Sequence, residues 1–260
     1  TGGRRSLRAS PSSSCQQAEH VKADDGHGAI AQVWPDLPLL EVRSLGVVPY
    51  GTSLETQSEL VAARQWGNIS DQLLLLEHPP VITVGVSGRS RRDHVLASPA
   101  ELRDRGVEVV NVPRGGDVTY HGPGQLVGYP IIGLKPDRCD VHRYVRDLEE
   151  VVIRTVAAFG VAAGRVAGLT GVWVGDDKLA AIGVRLSRWV TSHGFALNVA
   201  SDLDQFRLIV PCGLVGRGVT SLERLTGTAP PRAEVEEVAA DVFARIFGRR
   251  IRRPPTEETR

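Results

Sequence analysis

Cysteine is scarce in this chain: Cys15, Cys139 and Cys212 are the full set in 260 residues. An odd, widely scattered set does not staple a secreted domain, so a reducing compartment is expected. No apolar run approaches the ~20 residues that span a bilayer, and none sits near the N-terminus as a signal-peptide core. No membrane span is therefore expected. Charge of one sign is missing too, with 31 basic residues against 30 acidic ones. Nothing in that balance calls for nucleic acid or an anionic membrane, although a local basic patch would still suit an acidic carrier protein. Histidines and cysteines never cluster at ligand spacing, which leaves no expected metal site. Neither the Walker spacing nor the dinucleotide fingerprint occurs, and no internal repeat is found. Methionine is absent even from the first position, as expected of a fragment or a processed form.

What is present suits one large domain, because a chain of this length with 42% apolar residues can bury a substantial core. Residues 1–38 lack hydrophobic periodicity and are expected to be a disordered extension. Its first fifteen residues are rich in Arg and Ser and free of acids, the composition of a transit peptide and equally of an ordinary tail. A catalytic domain is expected over 39–250 and a flexible tail over 251–260.

Within the domain, strands are expected at 39–48, 73–76, 81–84, 107–112, 117–120 and 125–132. The prolines Pro79 and Pro80 would stiffen the turn between the second and third. Thr52 with Glu55 forms a capping box for a helix running towards Arg64, with Ser53 as the alternative cap. After Asp140 a strong helix is predicted, since Val141, Val145, Leu148, Val152, Val156 and Phe159 recur at three- and four-residue spacing and Gly160 supplies a stop. A hairpin over 172–186, a strand at 194–199 and a last amphipathic helix at 233–247 follow. Mixed strands with interspersed helices argue for an α/β or α+β sheet protein and against a regular βαβ succession.

Two segments carry the chemistry. RGGDVTYHGPGQLVGYPI, at 114–131, packs glycines, a tyrosine and a histidine between strand-like runs, and IVPCGL, at 209–214, sets Cys212 between a proline and a glycine. A thiolate is a strong nucleophile once a nearby cation or helix terminus lowers its pKa, and the glycine beside it lets backbone N–H groups approach a developing oxyanion. Read alone, Cys212 has the alternative of a small buried hydrophobe, the commoner fate of a free cysteine. Lys178 is one of three lysines and opens the apolar strand KLAAIGVRLS. At the mouth of a buried pocket it would favour a thiolate and shuttle protons, whereas in a turn it would simply face solvent. His121 and His193 each precede a glycine, and either would orient a substrate, act as acid or base, or cap the core edge.

Taken together, LLLLEHPPVITVG, RGGDVTYHGPGQLVGYPIIGL, GVWVGDDKLAAIGVRLS, TSHGFALNV, IVPCGL and VTSLE follow one another as in a known family. Over about 39–247 the sequence resembles the octanoyltransferases, or lipoyl(octanoyl) transferases, of lipoate biosynthesis. The resemblance implies a fold like that of the biotin and lipoate protein ligases, a central mixed β-sheet flanked by helices. It also implies an acyl-thioester cysteine at Cys212 and an activating lysine at Lys178. An acyl pocket would be lined by Arg114, Gly115, Gly116, Asp117, Val118, Thr119, Tyr120 and His121, by Ala181, Ile182 and Gly183, and by Gly194, Phe195 and Ala196. Small and apolar side chains suit an aliphatic chain, since each buried methylene is worth about 0.8 kcal/mol.

The implied reaction moves octanoyl from octanoyl-acyl carrier protein to Cys212, then to the lysine of a lipoyl domain. Acceptors would be the lipoyl domains of 2-oxoacid dehydrogenases and the glycine cleavage H protein. No cofactor and no ATP would be needed, and a cytoplasmic monomer is expected, or an organellar protein if the extension is a transit peptide. The rivals are an ATP-dependent lipoate or biotin ligase, an amidotransferase acting between lipoyl domains, and a non-catalytic binding module.

Overall fold

The computed structural model describes residues 37–90, 94–136, 138–210 and 217–253. Along them run β1 (Leu39–Val47), α1 (Tyr50–Gln65), β2 (Asp71–Glu77), β3 (Val81–Val84), α2 (Pro99–Asp104), β4 (Glu108–Asn111), β5 (Val118–His121) and β6 (Gln125–Ile131). Then come α3 (Val141–Ala157), β7 (Gly164–Val166), β8 (Leu169–Val174), β9 (Asp177–Ser187), β10 (Val190–Asn198), α4 (Leu222–Thr226), α5 (Arg232–Phe247) and β11 (Arg250–Arg252). Short 3-10 turns sit at Val86–Gly88 and Leu203–Leu208.

Eight strands form a mixed sheet in the order β11-β1-β2-β6-β10-β9-β8-β7, and β4-β3-β5 form a second, smaller sheet. The four leucines of β2 show why the large sheet is covered on both faces. Leu73 and Leu75 pack with Tyr144, Leu148, Val152, Phe243 and Phe247 from α3 and α5. Leu74 and Leu76 point the other way, with Val127, Tyr129 and Ala196, under Leu60 of α1. A strand buried on both faces reads as an unbroken apolar run instead of an alternation, and all four leucines are at most 1% exposed. The α/β class with a central mixed sheet flanked by helices is therefore the observed architecture.

Several local expectations shift. The helix after β1 starts at Tyr50 behind Pro49 with no side-chain cap, so the Thr52–Glu55 box does not form. Burying Tyr50 in the core pulls the first turn three residues forward, from a cap at Thr52 to one at Pro49, and the Ser53 hydroxyl donates to the Tyr50 carbonyl at 2.8 Å. β2 and β3 do not pair with each other. The turn at Pro79 and Pro80, which cannot donate to a ladder, carries the chain from the large sheet to the small one. Asp140 does cap α3, accepting from the His142 and Arg143 N–H groups at 2.8 and 3.1 Å. At the far end, β11 pairs in parallel with β1, Ile251 lying opposite Leu40, so ordered pairing continues past residue 250 into the expected tail. Of the expected extension, 1–36 lie outside the described residues.

Candidate active site

A cleft between the two sheets is shaped by the segment that joins β4 to β5. Its Gly115 N–H donates to the Val184 carbonyl of β9 at 2.9 Å, while its Asp117, Arg114 and Gly116 carbonyls accept from Gly85, Val86 and Ser87 at 2.9 to 3.1 Å. Glycine is required where these strands of chain touch. A Cβ on Gly85 would stand 2.4 Å from the Gly116 carbonyl oxygen, and Gly116 itself has φ of +85°. Arg114 locks the arrangement: one guanidinium nitrogen donates to the Thr83 carbonyl at 2.8 Å and to the Thr83 hydroxyl at 2.7 Å, and the other to the Gly115 carbonyl at 3.0 Å.

The cleft is lined by Arg114, Gly116, Asp117, Val118, Thr119 and His121 from this segment and β5, by Ala181, Ile182 and Gly183 of β9, and by Gly194, Phe195 and Ala196 of β10. Twelve of the fourteen expected pocket residues thus meet around one space. Gly115 is spent on stitching the loop to β9. Tyr120 is turned to the opposite face of β5, where its ring meets Phe206 edge-on at 5.5 Å, because successive side chains of a strand alternate. Three further residues line the cleft: Tyr50, Tyr129 and His193. Tyr129 lay inside the segment quoted above and carried no separate signal, and Tyr50 opens a helix whose start the sequence misplaced. The space is narrow, about 40 Å³, with room for roughly three waters.

Lys178 stands on β9 at one end. It is 6% exposed, and its Nζ lies 4.8 Å from the centroid of the Trp173 ring. The turn reading of Lys178 therefore gives way to the buried one. Beside it, Thr119, Gln125, Ala181, Ala196 and Asn198 enclose a small adjoining cavity that shares Thr119, Ala181 and Ala196 with the cleft. The chain 217–220 runs against the lysine: its N–H donates to the Gly218 carbonyl at 2.9 Å and its carbonyl accepts from Thr220 N–H at 3.0 Å. Cys212 lies outside the described residues. On its near side Val210 N–H donates to the His94 carbonyl at 2.8 Å.

A directional polar chain backs the cleft. Gln125 donates its amide N–H to Asn198 Oδ1 at 2.9 Å and Asn198 donates to the Thr220 carbonyl at 3.0 Å. Gln125 Oε1 is left to accept from His121 Nδ1 at 2.7 Å. His121 Nε2 is then the acceptor, facing the Thr83 hydroxyl at 3.4 Å. This ordering needs a neutral ring, and burial, reinforced by His78 and Arg114, holds the His121 pKa well below its ordinary value. A second chain has the same logic. His78 Nδ1 can only donate to the Val48 carbonyl, at 2.6 Å, so its Nε2 accepts from the Tyr129 hydroxyl at 2.8 Å. The Tyr50 ring packs against the same histidine, with 4.9 Å between ring centroids. Burial lowers the His78 pKa to about 4, raises that of Tyr50 to about 12, and holds that of Tyr129 well above its ordinary value. At neutral pH these groups are uncharged, which suits an apolar guest. Among the described residues no group of His, Cys, Asp and Glu could hold a metal ion, and no helix is long and apolar enough to cross a membrane.

Comparison with known proteins gives the same direction. The model of the lipoyl protein ligase A/B catalytic domain matches residues 49–244. An octanoyltransferase of Chloroflexus aurantiacus is 58% identical over 211 residues, covering 80% of this chain and 94% of that one. An octanoyltransferase of Solibacter usitatus is 53% identical, covering 79% and 92%. One of Myxococcus xanthus is 49% identical over 85% of this chain, which spans 63% of that longer protein. Among solved structures, lipoate-protein ligase A bound with ATP superposes with a TM-score of 0.66 at 17% identity, over 85% of this chain and 90% of that one. A lipoate protein ligase of Thermoplasma acidophilum gives 0.61 at 16%, over 85% and 88%.

Proposed function

We propose that this chain, which belongs to the lipoyl protein ligase A/B catalytic-domain family and to its octanoyltransferases, moves an octanoyl group from acyl carrier protein to the lysine of lipoyl domains. The observation that carries the proposal is Lys178, buried at one end of a narrow cleft walled by the Arg114 loop and by the small residues of β9 and β10. Relatives named octanoyltransferase at 53–58% identity support the acyl group.

In the first half-reaction the Cys212 thiolate attacks the thioester carbonyl of octanoyl-acyl carrier protein. The carbon–sulfur bond to the carrier breaks, its thiol leaves with a proton, and octanoyl remains on Cys212 as a thioester. In the second, the neutral amine of a lipoyl-domain lysine attacks that carbonyl, gives up a proton and forms the amide as Cys212 departs. Lys178 serves both halves: as a cation it favours the thiolate, and its Nζ passes the proton between leaving and entering groups. A thioester is already activated, so no nucleotide enters the balance. Arg114, Gly116, Asp117, Val118, Thr119, His121, Ala181, Ile182, Gly183, Gly194, Phe195 and Ala196 would hold the acyl chain, with Gly115 and Tyr120 supporting that wall from behind.

Mixing the protein with octanoyl-acyl carrier protein and a lipoyl domain, without ATP, tests the reading. Octanoylated lipoyl domain is the expected product. Product that appears only with free octanoate and ATP would assign the ligase chemistry instead.

A further inference from the structure

Pro130 stands in β6, a central strand, where proline lacks the N–H a ladder needs. Opposite it the pairing of β10 with β6 runs from Asn198 and Gln125 as far as Phe195 and Gly128 and then stops. Thr191 bridges the gap with its side chain, donating to the Pro130 carbonyl at 2.7 Å and accepting from Ile132 N–H at 3.0 Å. Between Thr191 and Phe195, His193 takes φ of +55°, a left-handed backbone that residues with a side chain adopt rarely. Its N–H turns out of the ladder to Gln57 Oε1 of α1 at 2.7 Å. Strain of this kind survives where its surroundings enforce it, and it gathers at functional positions.

The result is an imidazole set between two spaces. His193 is 3% exposed and lines the cleft on one side. On the other it lines a groove of about 250 Å³ between α1 and the β9–β10 pair, walled on one part by Leu54, Val61, Ala62 and Pro113 and on the rest by polar side chains, Gln57, Gln65 and Arg185 among them. Burial, then Arg114 and Arg185, lowers the ring pKa to about 3, so the ring is neutral. Neither its Nδ1 nor the Gln57 Nε2 has a hydrogen-bond partner among the described residues. Lys178 is at the opposite end. His193 is paired with Val184, six residues along β9 from the lysine, or roughly 20 Å of strand. That span is shared by the lysine arm, the guest and the imidazole.

We propose that the His193 imidazole is the end wall of the acyl cleft and sets the longest chain it accepts, so that removing it joins the cleft to the groove under α1 and admits longer saturated acyl groups. This rests on the reading that the cleft holds an acyl chain with its reacting carbon near Lys178. A role as acid or base does not fit, because the ring stands at the methyl end of such a chain. In the groove beyond it Leu54, Val61, Ala62 and Pro113 form the part that would cover further methylenes, each worth roughly fourfold in apparent affinity.

The test is a series of acyl carrier proteins bearing saturated chains of six to fourteen carbons, with enzyme acylation followed by intact mass for the parental protein, His193→Gly and His193→Asn. Glycine relieves the left-handed backbone, and asparagine tolerates it while shortening the side chain. The ratio of twelve- to eight-carbon acylation should rise by about tenfold or more in His193→Gly, the worth of about two methylenes, and by less in His193→Asn. Ala62→Leu added to His193→Gly refills the groove and should reverse the gain. An unchanged ratio in both single variants, or a uniform loss at every length, overturns the end-wall role. Failure of the parental protein to take any acyl group would instead defeat the acyl-cleft reading itself.

Discussion

The backbone N–H of Lys178 donates to the Gly218 carbonyl at 2.9 Å, so the chain that follows Cys212 by a few residues runs directly beside the lysine. Tight approach enforces this pairing, since a Cβ on Gly218 would stand 2.1 Å from Asp177 Oδ1. The nearest described neighbour of the cysteine in sequence on that side, Arg217, shares the Trp173 ring with Lys178, its guanidinium 5.3 Å from the centroid. The lysine is held by backbone and ring together, so its substitution should disturb chemistry more than fold.

Lys178→Ala should therefore slow octanoyl transfer by about 10²-fold or more, in the range of a lost proton-transfer group, while the melting temperature stays close to that of the parent. Lys178→Arg keeps charge and cannot relay a proton, so it should recover little. Single-turnover rates at several pH values, beside a thermal melt, check both. A variant that transfers at the parental rate would remove the lysine from the mechanism.

Arg114→Lys tests the loop that walls the cleft. Lysine cannot reproduce the fork that reaches the Thr83 carbonyl, the Thr83 hydroxyl and the Gly115 carbonyl at once. About a tenfold fall in kcat/KM is expected, from about 1.4 kcal/mol of lost positioning. Steady-state kinetics with octanoyl-acyl carrier protein measures it, and unchanged kinetics would show that the loop holds itself.

Gly194→Ala should fail by collision. The added Cβ would stand 2.2 Å from the Gly128 carbonyl oxygen and 2.6 Å from Pro130 Cδ, both on the neighbouring strand. Overpacking of this type costs about 1–3 kcal/mol, and each kilocalorie lowers the melting temperature by roughly 2–4 °C in a domain of this size. A calorimetric melt within a degree of the parent would contradict the close strand approach.

Stability should fall as the medium is acidified. His78, His121 and His193 are neutral in the fold, with pKa values pushed down to about 4, well below the ordinary value, and about 3 by burial above all. Unfolding frees each ring to take up a proton near its ordinary pKa of 6.5. The unfolded chain thus binds more protons below pH ~6.5, and stability is lost from there down towards the folded values. Each ring should cost up to about 2 kcal/mol between pH 7 and pH 5. Urea denaturation across that interval checks the slope, and a flat profile would mean that the rings are solvated.

Much of this was legible in the residues. The apolar periodicity after Asp140 located α3 because a long amphipathic helix repeats its signal over several turns. Twelve of the fourteen pocket residues that the family resemblance implied surround one cleft. Short elements escaped: α2, α4, β7 and β11 carry too few residues to show a period. His193 was visible as a histidine before a glycine, but its left-handed backbone answers to Pro130, 63 positions earlier in the chain, whose effect exists only once β6 and β10 are neighbours. Tyr50 and Tyr129 join the site through His78 in the same way, by contacts that no local pattern encodes.

The covalent route through Cys212 is tested most directly by intact-mass analysis after brief exposure to octanoyl-acyl carrier protein with no acceptor present. A mass gain of one octanoyl group that localises to Cys212, is released by neutral hydroxylamine and is absent from Cys212→Ala is the predicted result. Transfer to a lipoyl domain that proceeds at the parental rate in Cys212→Ala, with no acylated enzyme at any time, would contradict it.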